Sequence, residues 1–137
     1  MDWRRRALVA AGIGAYAGSI FPQDKKVKLP KIGLGTWQTF DVGNDSAARA
    51  TLREVLKLLD GNVVDSSPMY GSSESVAGDL IAELGLRAKL FVATKVWTSG
   101  RAEGIRQMEI SFRRLRVERM DLMQVHNLVD VATHTKT

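Results

Sequence analysis

Short apolar runs divide the chain at regular intervals. Each run is four to seven residues long, is rich in branched and aliphatic residues and is bounded by polar or glycine positions. Runs of this length predict strands of a sheet that is buried on both faces. The four predicted strands are 31–37, 62–65, 90–95 and 120–125.

The segments between the strands carry apolar residues at the spacing of amphipathic helices. Asp45 or Ser46 can cap the first helix, which is expected over 46–60, and Gly61 can end it. The second helix starts near Ser73 and stops at Gly85. The inward positions are Leu52, Val55, Leu56 and Leu59 in the first helix, Val76, Leu80 and Leu84 in the second, and Ile105, Met108, Phe112 and Leu115 in the third.

Strands that alternate with helices predict a parallel sheet with right-handed crossovers. A polar residue lies at or just after the carboxyl end of each predicted strand. These residues are Thr36, Asp65, Lys95 and His126, and successive members are separated by 29, 30 and 31 positions. A (β/α)8 barrel of about 250 residues allots about 31 residues to each unit. The period therefore predicts an α/β fold, an incomplete (β/α)8 TIM barrel made of the first four strands and three helices only.

A doubly wound open sheet shares this period and is the alternative fold. Such a sheet usually carries Gly-x-Gly-x-x-Gly after its first strand, where it binds a dinucleotide. Here Gly33-Leu34-Gly35 is followed by Thr36 and Trp37, so the fingerprint is absent.

The first 23 residues differ from the rest. Three arginines at 4–6 precede an Ala/Gly-rich apolar stretch at 7–17, which ends on the small-x-small pattern Ala15-Tyr16-Ala17. This layout predicts an export signal of the twin-arginine type and a bacterial periplasmic location. A disordered leader is the alternative, in which case we expect a cytoplasmic protein. The apolar stretch is too short for a membrane anchor.

Composition narrows the classes of function. The 137 residues are 45% hydrophobic and 26% charged, which fits one globular domain or part of one. The net charge of +5 comes without a long basic run, so we expect no nucleic-acid partner. The absence of cysteine excludes disulfides and thiolate chemistry, and with only two histidines we expect no metal site.

Four segments at the strand ends resemble the aldo-keto reductases, and together they extend the resemblance from about residue 28 to residue 130. They are Lys31–Trp37, Val64–Gly71 with Ser73-Glu74, Ala93–Trp97 and Asp121–Asn127. The resemblance implies an NADP(H)-dependent oxidoreductase that reduces aldehydes or ketones to alcohols. It also implies that residues 24–137 form the N-terminal half of the barrel.

The resemblance also implies roles for individual residues. Two tryptophans would wall the pocket for a small carbonyl substrate, together with an imidazole from the fourth strand. Four further positions would approach the nicotinamide. The implied catalytic residues are Asp65, Tyr70, Lys95 and His126, the pocket residues are Trp37, Trp97 and His126, and the cofactor residues are Gly35, Thr36, Asp65 and Asn127.

The chemistry of these side chains suits carbonyl reduction. A carbonyl that accepts hydride develops alkoxide character and needs a proton donor, which Tyr70 can be. Lys95 would stabilise the phenolate, Asp65 would hold the ammonium, and His126 would donate a hydrogen bond to the substrate oxygen. Each residue taken singly also has a purely structural interpretation, but the combination at one rim favours catalysis.

The same resemblance implies that most contacts to the cofactor phosphates come from the second half of the barrel, which this sequence does not contain. We therefore expect little or no reductase activity from the chain alone. The edges of the first and fourth strands should be exposed and could allow self-association of two half barrels. A non-catalytic binding or regulatory module on a half-barrel scaffold is the alternative function.

Overall fold

The computed structural model describes residues 29–59 and 61–134, apart from the side chains of residues 133 and 134. The predicted export leader at 1–23 lies outside these residues. Strands and helices alternate through the described part, with a short 3₁₀ turn at Arg87–Lys89 before the third strand. The elements are β1 (Gly33–Gly35), α1 (Ser46–Lys57), β2 (Val63–Asp65), α2 (Ser73–Glu83), β3 (Phe91–Val96), α3 (Arg101–Arg114), β4 (Leu122–Val125) and α4 (Val131–His134).

The four strands form one parallel sheet in the order β1-β2-β3-β4. The predicted alternation of strands and helices is confirmed. In a doubly wound sheet the first strand lies inside the sheet, and the order in which the strands are added reverses beside it. Here β1 is an outer strand and the order is strictly sequential, as in a barrel, so the doubly wound alternative does not apply.

Local sequence signals fix the helix ends. The Asp45 carboxylate accepts hydrogen bonds from the backbone N–H groups of Ala47 and Ala48, both at 3.0 Å, and so caps α1 as predicted. Gly85 follows α2 with a φ of +64°, and the N–H of Leu86 donates to the carbonyl of Ile81 at 3.0 Å. This pairing is a Schellman C-cap, which requires the left-handed conformation that glycine adopts without strain.

The hydrophobic core lies between the helices and one face of the sheet. Val64 and Val92 contribute the sheet side and are fully buried. Most predicted inward positions of α1 and α2 belong to this core, and Leu84 packs against it half-buried. Val55 is half-buried but is not part of the core. The buried apolar residues of this core are Phe40, Leu52, Leu56, Leu59, Val64, Val76, Ala77, Leu80, Ile81, Leu90, Val92, Leu115 and Val117.

Two predictions about boundaries were wrong. The strand expected over 31–37 as a buried element is three residues long, and Gly33 and Gly35 are exposed. In the described sheet β1 has a neighbour on one side only, and its glycines have no side chain to pack. The close backbone approach expected there does occur, because a Cβ at Gly33 would lie 3.1 Å from the Val63 Cβ. The first helix ends at Lys57 rather than Asp60.

The outer strands of the described sheet, β1 and β4, each pair on one side only. Apolar side chains near them are exposed, including Ile32, Leu122 and Val125. Self-association through these edges remains a prediction. Within the described residues, the helices are all too short or too polar to cross a bilayer.

Helix α2 packs closely against the end of α3 at Gly78. A Cβ at this position would lie 2.1 Å from the Arg114 carbonyl oxygen and 2.6 Å from the Leu115 Cα. Both atoms belong to the backbone, so no side-chain rotation can relieve the overlap. Only glycine allows this packing of the end of α3 on α2.

We predict that Gly78→Ala destabilises the protein by at least about 2 kcal/mol, because overpacking outweighs the gain of about 0.5–1 kcal/mol that alanine normally brings to a helix. Denaturant unfolding followed by circular dichroism measures the change. Ala82→Gly, at an exposed position of the same helix, is the control and should cost about 1 kcal/mol from helix propensity alone. A Gly78→Ala protein as stable as the parent would contradict this packing.

Candidate active site

The register of the sheet decides which side chains share a face. Side chains alternate along a strand, and paired residues of neighbouring strands point the same way. Gly35 pairs with Asp65, Asp65 with Ala93, and Lys95 with Gln124. These side chains therefore lie on the face opposite the helices, which we call the inner face. In a closed barrel this face points to the interior.

An ion pair between β2 and β3 is the centre of the site. The Lys95 Nζ lies 2.5 Å from Asp65 Oδ2 and donates a second hydrogen bond to the Ser66 carbonyl at 2.8 Å. The lysine side chain is only 13% exposed. An ammonium has three protons, so one remains for a further acceptor. The pair brings together two of the predicted catalytic residues.

The second oxygen of the Asp65 carboxylate accepts a hydrogen bond from Gln124 Nε2 at 3.1 Å. Gln124 was not among the predicted site residues. A signal was available, because Gln124 stands two positions before His126, the residue that directly follows β4, and strand alternation places positions two apart on the same side of the sheet. With one partner on each oxygen, the carboxylate is fixed in orientation.

The Tyr70 ring lies over this ion pair. The Lys95 Nζ is 5.1 Å from the ring centroid, and the His126 ring meets the tyrosine edge-on with the centroids 5.7 Å apart. Trp37 is also close, with its ring centroid 6.3 Å from that of Tyr70. The structure thus brings all four predicted catalytic residues to one end of the inner face.

The loop that carries Tyr70 is held by Asp41, which the sequence analysis did not identify. The Asp41 carboxylate accepts from the backbone N–H of Ser72 at 2.8 Å and from its hydroxyl at 2.7 Å. These hydrogen bonds hold the pKa of Asp41 below its ordinary range. A Cβ at Gly71 would lie 2.3 Å from that carboxylate, and the φ of Gly71 is +57°, so only glycine fits beside Tyr70.

His126 is a neutral donor or acceptor at physiological pH. Burial and the neighbouring Lys95 ammonium lower the pKa of His126 below its ordinary 6.5, and the Asp65 carboxylate opposes the shift only in part. Its Nδ1 lies 3.0 Å from the Ser67 hydroxyl. Ser67 is fully buried and was not among the predicted site residues.

The predicted pocket residues Trp37 and Trp97 expose 63% and 43% of their surface. The backbone of Trp97 is fixed by the Gln107 carboxamide of α3, which accepts from the Trp97 N–H at 2.6 Å and donates to its carbonyl at 3.1 Å. Asn127, the residue after His126, is also exposed and has a φ of +53°. These three side chains are free to contact a ligand.

Thr36, a predicted cofactor residue, has its side chain inside the protein. Its side chain is fully buried, and its hydroxyl donates to Ser66 Oγ at 2.8 Å. The backbone N–H and carbonyl are also engaged, with Asp65 and Phe40. Side chains alternate along the chain, so Thr36 points away from the inner face that its neighbour Gly35 shares with Asp65. Its visible role is to join β1 to β2.

Within the described residues, no group of three or more histidine, aspartate and glutamate side chains is placed to hold a metal ion. The carboxylate at the centre of the site, Asp65, is already engaged by Lys95 and Gln124. An ammonium beside a phenol ring suits charge stabilisation and proton transfer by side chains.

The model of the aldo/keto reductase family matches residues 31–134. The chain belongs to the aldo/keto reductase family. It is 37% identical over 109 residues to the methylglyoxal reductase YeaE of Escherichia coli K12, an alignment that covers 73% of this chain and 36% of YeaE. It is 32% identical over 120 residues to the aldo-keto reductase YhdN of Bacillus subtilis 168, covering 75% and 36%.

Solved structures give the same relationship. An aldo-keto reductase from Klebsiella pneumoniae in complex with NADPH superposes with a TM-score of 0.63 at 32% identity, covering 75% of this chain and 37% of that one. A second, in complex with NADP and acetate, gives 0.56 at 34% identity, covering 72% and 35%. The predicted barrel fold is thereby confirmed, and this aldo/keto reductase chain spans about a third of the length of these relatives.

We predict that His126 titrates below pH 6.5 in the folded protein, because its environment disfavours the imidazolium. The unfolded chain then binds more protons near pH 6, so this residue's contribution to stability is complete above about pH 6.5 and is lost as the pH falls. NMR titration of the imidazole signals measures the midpoint, and His134→Gln assigns them. A midpoint at or above 6.5 for His126 would contradict the described environment.

Proposed function

We propose that this chain provides the proton-donating side of the active site in an NADP(H)-dependent reductase of aldehydes or ketones. The observation that carries the proposal is the Lys95 ammonium, which is held by Asp65 and the Ser66 carbonyl beside the Tyr70 ring. A buried ammonium next to a phenol is suited to stabilise the phenolate left after proton transfer.

Reduction of a carbonyl adds a hydride to carbon and a proton to oxygen. When bound, NADPH supplies the hydride. Tyr70 donates the proton to the oxygen, and the fixed charge of Lys95 stabilises the resulting phenolate. The Asp65 carboxylate keeps the ammonium in place, because removing its partner would leave a buried charge uncompensated. An N–H of His126 binds the carbonyl oxygen and orients it toward Tyr70.

Two residues at the carboxyl ends of the strands fit the nicotinamide end of the cofactor. A Cβ at Gly35 would meet nothing within 4 Å, so the strand leaves open space beside Asp65. The exposed Asn127 carries a carboxamide whose donor and acceptor complement those of the nicotinamide amide. That related Klebsiella reductases were solved with NADPH and NADP supports the same cofactor here.

The exposed indoles of Trp37 and Trp97 form the walls of the proposed substrate pocket. Aromatic walls favour a small substrate with an apolar part next to its carbonyl group. The similarity to the methylglyoxal reductase YeaE makes methylglyoxal a suitable first probe. Because the chain spans about a third of its relatives, we expect the complete activity only when the remaining barrel strands are supplied.

A joined protein can be made by replacing the matching segment of YeaE with residues 31–134 of this chain. We predict that this joined protein reduces methylglyoxal and oxidises NADPH. The 137-residue chain alone should show little or no turnover. In the joined protein Lys95→Met should lower kcat at least about 100-fold, the usual effect of losing acid–base assistance. Lys57→Met, which removes an exposed lysine from α1, is the matched control. A folded joined protein without turnover would favour a non-catalytic module.

A second prediction concerns the cofactor. Gly35→Ala should raise the KM for NADPH severalfold with little loss of stability, because a methyl group has room in the protein but would enter the proposed nicotinamide site. Gly33→Ala should instead lower stability, because its Cβ would lie 3.1 Å from the Val63 Cβ. Steady-state kinetics and thermal unfolding of the joined protein separate the two effects. Unchanged KM in Gly35→Ala would place the cofactor elsewhere.

A further inference from the structure

A buried hydroxyl lies directly behind the imidazole of the site. Ser67, two residues after Asp65, is fully buried, and its Oγ is 3.0 Å from His126 Nδ1. The same Oγ accepts a hydrogen bond from the backbone N–H of Met69 at 3.2 Å. Among the described residues these are the partners of the hydroxyl.

The two neutral forms of the His126 imidazole differ in whether they leave a buried hydrogen-bond donor unpaired at this contact. The Met69 N–H can only donate, so it uses one acceptor site of the Ser67 oxygen. If Nδ1 also carried a proton, it would donate to the second acceptor site, and the buried hydroxyl proton would have no acceptor. A buried unpaired donor costs its full desolvation penalty. If Ser67 instead donates to Nδ1, every group is paired.

The proton of the neutral ring therefore resides on Nε2. Within the described part of the chain Nε2 makes no hydrogen bond, and the half-buried ring stands edge-on to Tyr70 at the inner face. The charged and titratable groups around it are Lys95, Asp65 and Tyr70. The ammonium and burial together lower the pKa of His126, so the ring stays uncharged near neutral pH.

We propose that Ser67 is a positioning residue that fixes His126 as the Nε2–H tautomer, so that an uncharged N–H donor faces the substrate oxygen. The tautomer follows from hydrogen-bond geometry alone. Its use in catalysis rests on the proposed function. The Ser67 hydroxyl thus decides which nitrogen of His126 donates a hydrogen bond. The proton that is transferred to the substrate still comes from Tyr70.

The test is long-range ¹H–¹⁵N NMR of the imidazoles in the full 137-residue chain at pH 8, without cofactor or substrate. With two histidines in the sequence, His134→Gln assigns the spectrum. We expect a protonated Nε2 and an unprotonated Nδ1 for His126. In Ser67→Ala the preference for this tautomer should fall about fivefold, the typical worth of one hydrogen bond. Ser67→Thr, which keeps the hydroxyl, should retain it.

Ser111→Ala is the matched control, because it also removes a buried serine hydroxyl but one without a partner in the described part of the chain. It should leave the tautomer unchanged. An Nδ1–H tautomer in the parent protein, or an unchanged ratio in Ser67→Ala, would overturn the proposal. Should Ser67→Ala fail to fold, the parent spectrum and Ser67→Thr still decide.

Steady-state kinetics then test whether Ser67 contributes to catalysis. In the protein joined to the remainder of YeaE, Ser67→Ala should lower kcat about fivefold with an unchanged KM for NADPH, and Ser67→Thr should restore kcat. If the joined protein is inactive but His126 is the Nε2–H tautomer, the proposed function fails and the assignment of the tautomer stands. If kcat is unaffected by Ser67→Ala in an active protein, Ser67 has no positioning role.

Discussion

The ion pair between Asp65 and Lys95 is the constraint on which the site depends. A mostly buried ammonium is tolerated only with partners, and here these are one carboxylate oxygen and the Ser66 carbonyl. The remaining carboxylate oxygen is held by Gln124. Tyr70 lies beside this pair and contacts the His126 ring. Residues from β2, β3, β4 and the Tyr70 loop therefore meet around the Lys95 ammonium. The same charge favours an uncharged imidazole at His126.

The opposite face of the sheet supports this arrangement. Thr94, the residue before Lys95, points to the helix layer and donates to the fully buried Glu74 at the start of α2, at 2.7 Å. Lys95 therefore extends from a strand that is anchored from behind. The close packing on α3 at Gly78 holds the middle of α2, and the Asp41 contacts to Ser72 hold the residue before its start.

The spacing of polar residues at strand ends predicted the sheet and the rim, because a parallel βα repeat brings the carboxyl ends of successive strands to one edge. Which side chains point into the site depends on the register of the strands, and the spacing along the sequence does not determine that register. Thr36 precedes Trp37 at the rim but its hydroxyl points to Ser66, as strand alternation from Gly35 would have indicated. Gln124 could have been found by the same alternation. Ser67 and Asp41 could not, because their partners His126 and Ser72 are distant in sequence and meet only through loop conformation.

A double-mutant cycle on the free energy of unfolding, with Asp65→Asn, Lys95→Met and both together, tests the central ion pair most directly. Each single change should destabilise the protein, and the double variant should lose less than the sum, with a coupling of about 1–2 kcal/mol for this partly exposed pair. The same cycle on Lys57 and Glu54, an exposed pair of α1, should give at most about 0.5 kcal/mol. Additive effects at Asp65 and Lys95 would contradict the account.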